Sequence, residues 1–424
     1  MSDLLANPRL CAGCSKPGSS LKCPCKQVHY CGKECQTADW PSHKKVCAAR
    51  LDRRLRQAKK QHGKDDVEVA EARMDAGFAH MNEGRYGDAE RCFLEAHRVY
   101  NASLGEHPIT AELCKSIGGL YHLMGRYGEA MSNLEESVRM FRKFERVEGV
   151  GSVLHVMGRV LESQGKHEEA LKQLREAYKI LKDAFGPDDD CIASILSDMS
   201  FSYKALGLFD RAMNVETESL QIERRRYGDD SERVAIGLSS MGSIYTAQGM
   251  LPEARANHEE ALGILRRLHG EKHPMVASSL NNLGNVVYKQ GEYGEALKLH
   301  RKSYKIMRRV KGDDHPDVAG TILSIGAGFM SQGKYGEAMQ MYEDASAIYA
   351  RALGVDNCET AATLCNIAQA KVGMGDAEGA LESARESVRI FARNGNADHR
   401  SQDASLLLRQ LGGICREGQS VGRG

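Results

Sequence analysis

A short phrase written eight times along the chain limits its possible folds more than any other feature. Gly-x-aromatic-x-x-Ala runs from Gly84 to Ala89, Gly125 to Ala130, Gly291 to Ala296 and Gly333 to Ala338. Looser copies begin at Gly165, Gly207, Gly249 and Gly375, and successive glycines lie 41, 40, 42, 42, 42, 42 and 42 residues apart. A fixed period of this length marks a stack of supersecondary units, because one such unit cannot bury its own apolar face and must lean on its neighbours.

The register inside each copy specifies the unit. Counting from the alanine of the phrase, a small residue recurs seven positions later, from Ala96 and Ser137 to Ala345 and Ser387. Another recurs twelve positions earlier, from Gly77 and Gly118 to Gly326 and Ala368. Small residues fixed at three places let two helices approach closely. Apolar pairs such as Leu238 and Met241, or Leu280 and Leu283, share one helical face and supply the packing knobs. Each copy reads as helix, tight turn, longer helix, short loop. Gly186, Gly228, Gly270, Gly312 and Gly354 stand where the second helix should stop and are expected as left-handed C′ glycines. Pro108, Pro274 and Pro316 suit the first position of the next helix, and the histidines before them, His107, His273 and His315, read as turn residues.

Composition matters most through cysteine. Seven of the 13 cysteines fall between Cys11 and Cys47. No run of about 18 apolar residues suggests a membrane span, and Met1 to Arg9 lacks the pattern of a secretory signal. A reducing compartment is therefore expected, cytoplasmic with a nuclear alternative, where clustered cysteines serve as metal ligands rather than disulfides. The remaining six, Cys92, Cys114, Cys191, Cys358, Cys365 and Cys415, read as small packing residues or inert thiols.

The cluster reads Cys11-x2-Cys14, Cys23-x-Cys25, Cys31-x3-Cys35 and His43-x3-Cys47. Eight such ligands suffice for two closed tetrahedral Zn2+ sites, whose binding would supply much of the folding energy of so short a segment. Closed sites leave no position for an activated water, which argues against metal catalysis.

Tyr30-Cys31-x3-Cys35-Gln36-x3-Trp40-x2-His43-x3-Cys47, behind two cysteine pairs, resembles a MYND-type zinc finger. The resemblance implies interleaved structural sites, one of Cys11, Cys14, Cys31 and Cys35, the other of Cys23, Cys25, His43 and Cys47. Only Pro24 separates Cys23 from Cys25, a departure that leaves His29 as the alternative to Cys23. The resemblance also implies capture of short proline-containing peptides, with Gln36 and Trp40 at the contacting positions. Trp40, the single tryptophan, serves equally well as a packing residue of a tiny core.

The repeats resemble the tetratricopeptide repeat in the 42-residue version of kinesin light chains, most closely over Val276 to Ile306 with Leu280-Asn281-Asn282-Leu283. This implies an all-α, right-handed solenoid of helix pairs, whose first helices line a concave groove for peptides. By that analogy Lys115, Asn281, Asn282, Asn285 and Asn366 line the groove, and asparagine can both donate to and accept from a peptide backbone. A carboxylate clamp is disfavoured, since Gly119 stands where the pattern after Lys115 needs a polar residue. A zinc finger and a charged linker occupy the place of the light chain's coiled coil, which puts motor attachment in doubt.

The expected organisation is a tail at 1–10, the finger at 11–47, a basic helical linker at 48–65, about eight repeats over 66–398, a capping helix at 399–412 and a disordered tail at 413–424. Residues 1–64 carry 14 Lys/Arg against 4 Asp/Glu, on a body of opposite sign. Arg53, Arg54, Arg56, Lys59, Lys60 and Lys64 make the linker a nucleic-acid candidate, but no aromatics interleave with the charge, and a solvated helix face is the better reading. MYND fingers also occur in SET-domain methyltransferases, which need a β-rich domain around the finger. Only ten residues precede Cys11 and repeats begin soon after Cys47, so no enzyme is expected. Gly118-Gly119 lies inside a helix without the strand or lysine of a phosphate loop. These readings converge on a scaffold or adaptor for proteins and short peptides, with a kinesin-light-chain-like cargo adaptor or a chromatin-associated co-regulator as alternatives and oligomeric state left open.

Overall fold

A computed structural model describes residues 21–22, 29–30, 53–58, 60–63, 65–394 and 399–421. The chain divides into two compact units, Met1–Leu120 and Tyr121–Gly424. The zinc ligands, Gln36 and Trp40 lie outside the described residues. Within the finger only a two-residue antiparallel ribbon is described, β1 (Leu21–Lys22) against β2 (His29–Tyr30), with Leu21 opposite Tyr30.

Unit 1 continues with a helical stretch over 53–58 and 60–62 and the first helix pair, α1 (Val67–Asn82) and α2 (Tyr86–Leu104). Arg54 of the basic stretch reaches Asp75 at 2.5 Å and Glu71 at 3.7 Å, so part of the linker's charge is answered by α1. Phe93 is fully buried and meets Phe78 edge-on at 5.0 Å. The next helix, α3 (Pro108–Leu123), carries Lys115, which pairs with Glu112 at 2.6 Å.

Unit 2 holds the other pairs. They are α4 (Tyr127–Lys143), α5 (Val147–Ser163) with α6 (His167–Phe185), and α7 (Asp190–Ala205) with α8 (Phe209–Tyr227). Then come α9 (Glu232–Gln248) with α10 (Leu251–His269), α11 (Pro274–Lys289) with α12 (Tyr293–Lys311), and α13 (Pro316–Met330) with α14 (Tyr335–Leu353). The last pair, α15 (Cys358–Gly373) with α16 (Ala377–Arg393), is covered by α17 (His399–Val421). This last helix continues beyond residue 412, where the sequence reading places the start of an unstructured tail. Among the described residues, no helix is long and apolar enough to cross a membrane.

The register positions have separate physical jobs. The alanine of each phrase is fully buried. At Gly77, Gly158, Gly242, Gly284 and Gly326, the side chain four places after the alanine packs against the glycine twelve places before it. A Cβ built on Gly158 would stand 2.6 Å from Leu174 Cδ2, and one on Gly284 would stand 2.6 Å from the His300 ring. Glycine is required there by close approach rather than by backbone shape. Seven places after the alanine, a serine hydroxyl donates to the carbonyl 26 residues earlier: Ser219 to Ala193 at 2.9 Å, Ser303 to Ala277 at 2.6 Å and Ser387 to Ala361 at 2.7 Å. Serine alternates with alanine at this place because both fit the space.

Helix ends differ from the sequence expectation in one respect. The glycines closing the second helices have φ of +74° to +95°, but ψ between 157° and 174°. They are extended with positive φ, a region open essentially to glycine alone, and not left-handed helical. The repeat whose phrase begins at Gly125 is two residues short, and there Glu145 takes the positive φ of 55°. The histidines before proline are N-caps. Nδ1 of His107, His273 and His315 accepts from the amides of Ile109, Met275 and Asp317 at 3.1–3.3 Å.

Along the loops, an acid of one connection meets a base 37 residues later at the end of the following long helix. Asp188–Arg225, Asp230–Arg267, Asp314–Arg351 and Asp356–Arg393 pair at 2.5–2.7 Å. One contact in unit 2 is of a different order. Asn357, the N-cap of α15, accepts from the Glu359 amide at 2.8 Å and also donates from Nδ2 to the Met124 carbonyl at 2.9 Å, 233 residues earlier. The unit's superhelix therefore returns upon itself. A cavity of about 740 Å³ follows this seam between Arg126 and Glu129 on one side and Asp356 and Arg393 on the other.

Candidate functional site

Three places on the first helices face inward: fourteen, eleven and eight residues before the alanine. Asn282, Ser324 and Asn366 hold the first place in successive repeats. Ser243 and Asn285 hold the second, Thr246 and Tyr288 the third. All seven line one cavity of about 500 Å³. Asn282 and Asn285 are one turn apart on α11, while Asn366 comes from α15 two repeats on. The remaining polar wall is Lys289 with the rings of His258 and His300.

Among the groove residues expected from sequence, Asn282, Asn285 and Asn366 thus meet around one space. Asn281 does not face it, because its carbonyl oxygen accepts from His300 Nδ1 at 2.9 Å behind the wall. Lys115 belongs to unit 1.

The histidines were missed from sequence although the register exposes them. Four places after the alanine, the chain reads Phe93, Leu134, Leu174, Glu216, His258, His300, Tyr342 and Ala384. Three successive ionisable groups at a core position are the signal. Burial pulls both His258 and His300 down to about 4, and the Lys204 charge adds to the effect at His258. Both rings are therefore neutral near pH 7. His258 is 2% exposed and its Nδ1 has no hydrogen-bond partner among the described residues. Burial raises Glu216 to about 7, opposed by the hydroxyls of Ser200, Ser197 and Ser240 and by the Lys204 charge; Oε1 accepts from Ser197 at 3.2 Å.

The lining contains no carboxylate and no thiol. It offers amides, hydroxyls and neutral imidazoles, each able to donate or accept, beside one ammonium group. That set suits the alternating N–H and C=O groups of an extended peptide, and it lacks the paired acid and base of a hydrolytic centre.

The tetratricopeptide repeat model matches residues 68–143, 149–225, 233–309, 276–351 and 317–393, and the MYND finger model matches residues 11–47. Dauer abnormal formation protein 25 of Caenorhabditis elegans is 45% identical over 40 residues, 9% of this chain and 10% of that protein. The chain thus spans about a tenth of that relative's length. The kinesin light chain TPR-like repeats of Podosopora anserina are 20% identical, covering 47% of this chain and 93% of theirs with a TM-score of 0.39. The apo form of the quorum sensor NprR from B. thuringiensis is 16% identical, covering 74% of this chain and 87% of that one with a TM-score of 0.53, a likeness of fold.

Proposed function

Because the chain belongs to the tetratricopeptide repeat family and carries a MYND finger at residues 11–47, we propose that it is a non-enzymatic adaptor with two peptide sites. One is the cavity between Asn282, Asn285 and Asn366. The other is the finger, where Gln36 and Trp40 would meet a proline-containing peptide. The observation that carries the reading is the register: one inward place holds Asn282, Ser324 and Asn366, so polar groups repeat along the wall with the solenoid itself. Linking two modest sites raises the affinity for a partner, or pair of partners, presenting both peptides.

A MYND finger implies zinc, and the donor set of seven cysteines and one histidine fits it. Cys11, Cys14, Cys31 and Cys35 would hold one ion, and Cys23, Cys25, His43 and Cys47 a second. Bound zinc organises the finger as a structural ion and supplies no reaction step.

The test is selection of a displayed random dodecapeptide library on the zinc-loaded full chain. Enriched peptides should bind Asn282→Ala and Asn366→Ala at least about tenfold more weakly, the loss of one or two well-made hydrogen bonds. Peptides that bind both variants as tightly as the parent, and that are also indifferent to Trp40→Ala, would remove the reading. Co-purification of a motor heavy chain would favour the cargo-adaptor alternative. Nuclear residence dependent on residues 50–64 would favour the chromatin alternative over a cytoplasmic adaptor.

A further inference from the structure

The inward places that hold asparagine and serine on α9 and α11 carry another chemistry two repeats earlier. There they are Arg159 and Glu162 on α5, and Asp198, Phe201 and Lys204 on α7. These five line a second cavity, of about 910 Å³, whose far wall is Glu359 of α15 with Arg400 and Gln402 of α17. α17 reaches this wall because unit 2 returns upon itself at the Asn357–Met124 seam, and the cavity stays open to solvent beside the exposed Arg159 and Phe201.

Most of its charges are answered inside the wall. Arg400 pairs with Glu359 at 2.7 Å, and Asp198 hydrogen-bonds His155 at 2.6 Å while its charge still acts on Glu162. Burial holds Glu162 up at about 8, reinforced by the nearby Asp198 charge, so its carboxyl is neutral near pH 7 and accepts from Ser202 at 2.7 Å. Burial pulls His122 down to about 4, so that ring is neutral as well. Two cations are left. Arg159 and Lys204 make no ion pair among the described residues. Lys204 is half-buried over the Phe201 ring, 5.1 Å from its centroid, and desolvation lowers its pKa. The charge of the buried Glu216 carboxyl offsets part of that desolvation, and an arriving anion relieves the rest.

We propose that this cavity is a second binding site, separate from the asparagine-lined one, for an oxyanion carried by a ligand, held by Arg159 and Lys204 above the Phe201 ring. Two fixed positive charges match a dianionic phosphoryl group better than one carboxylate, and the planar guanidinium can meet two of its oxygens at once. The site depends on the closed superhelix, since Arg400 and Gln402 complete its wall.

Calorimetric titration of the zinc-loaded full chain at fixed ionic strength tests this, using N-acetyl-phosphoserine amide and N-acetyl-glutamate amide as probes. Saturable phosphoserine binding is expected, weakened at least about tenfold in Arg159→Gln and in Lys204→Gln. It should be unchanged in Lys298→Gln, which removes an exposed charge elsewhere. Arg159 is exposed, so its variant should fold; matched circular dichroism and thermal midpoints confirm that the loss is one of binding. Glutamate binding as tightly as phosphoserine, with the same loss in the variants, would keep the oxyanion site and assign it to carboxylates. No saturation by either probe, or equal binding in both variants, would overturn the proposal.

Discussion

Replacing Glu162 with glutamine should stabilise the protein increasingly as pH rises above about 4.5, while leaving it little changed below that pH. Glu162 is 9% exposed, and burial with the neighbouring Asp198 charge lifts its carboxyl from the ordinary 4.5 to about 8. The folded state thus holds a proton that the unfolded chain has released. Its contribution to stability is fully present below pH 4.5 and is lost as pH rises through about 8. The whole separation corresponds to about 5 kcal/mol, of which about 3 kcal/mol falls between pH 6 and pH 9. Glutamine keeps the Ser202 hydrogen bond and has no proton to lose. Urea denaturation of parent and Glu162→Gln at pH 6, 7, 8 and 9 should therefore show a stability difference that grows by about 3 kcal/mol in favour of the variant. A difference that stays constant across this range would refute the reasoning, since the carboxyl would then not titrate there.

Other perturbations test other layers of the structure. His122, His258, His273 and His300 are all pulled to about 4, chiefly by burial, so their contribution is complete above about pH 6.5 and is lost as pH falls through 4. His258→Phe, copying Phe93 at the same register place, should flatten part of that acid slope in urea titrations at pH 4–7. Gly158→Ala drives a methyl to 2.6 Å from Leu174 Cδ2 and should lower stability by about 1–3 kcal/mol in urea melts. Gly336→Ala, with open space around the new methyl, should raise it by about 0.5–1 kcal/mol in the same assay. Asp314→Asn removes an exposed loop pair with Arg351 and should change stability by less than about 1 kcal/mol, and less still at 1 M salt. Metal analysis of the purified chain should find two zinc ions, with Cys25→Ser retaining one.

The repeat register was legible because each of its constraints is local. A close approach demands glycine at Gly158 and Gly284, a capped helix start tolerates His273 before Pro274, and both leave one-letter traces every 42 residues. Asn282 and Asn366 could be placed on one wall because they share a register place. Asn281 could not be excluded, since its engagement depends on His300 lying across Gly284 with Nδ1 turned towards it. Glu216, His258 and His300 were visible in the same alignment of copies, yet a search for apolar knobs passes over polar residues in a core column. The meeting of Asn357 with Met124, and of Arg400 with the Lys204 wall, has no local trace. It accumulates from small rotations between successive pairs, each set by side-chain volumes that the period alone does not encode.

That seam gives the number of repeats a meaning which the ladder of loop pairs does not. Asp188–Arg225 and its counterparts reach only to the adjoining layer, so a 42-residue cassette such as 271–312 could be excised or duplicated with each surviving junction resembling the old one. The Asn357–Met124 bond is indifferent to any junction and sensitive to their sum. Adding or removing one cassette would swing Asn357 out of line with Met124 by a full inter-repeat step, opening the chamber while leaving the helices intact. In this chain, repeat count acts as a ring-closure condition, and insertions that a simple solenoid would absorb become changes of chamber geometry.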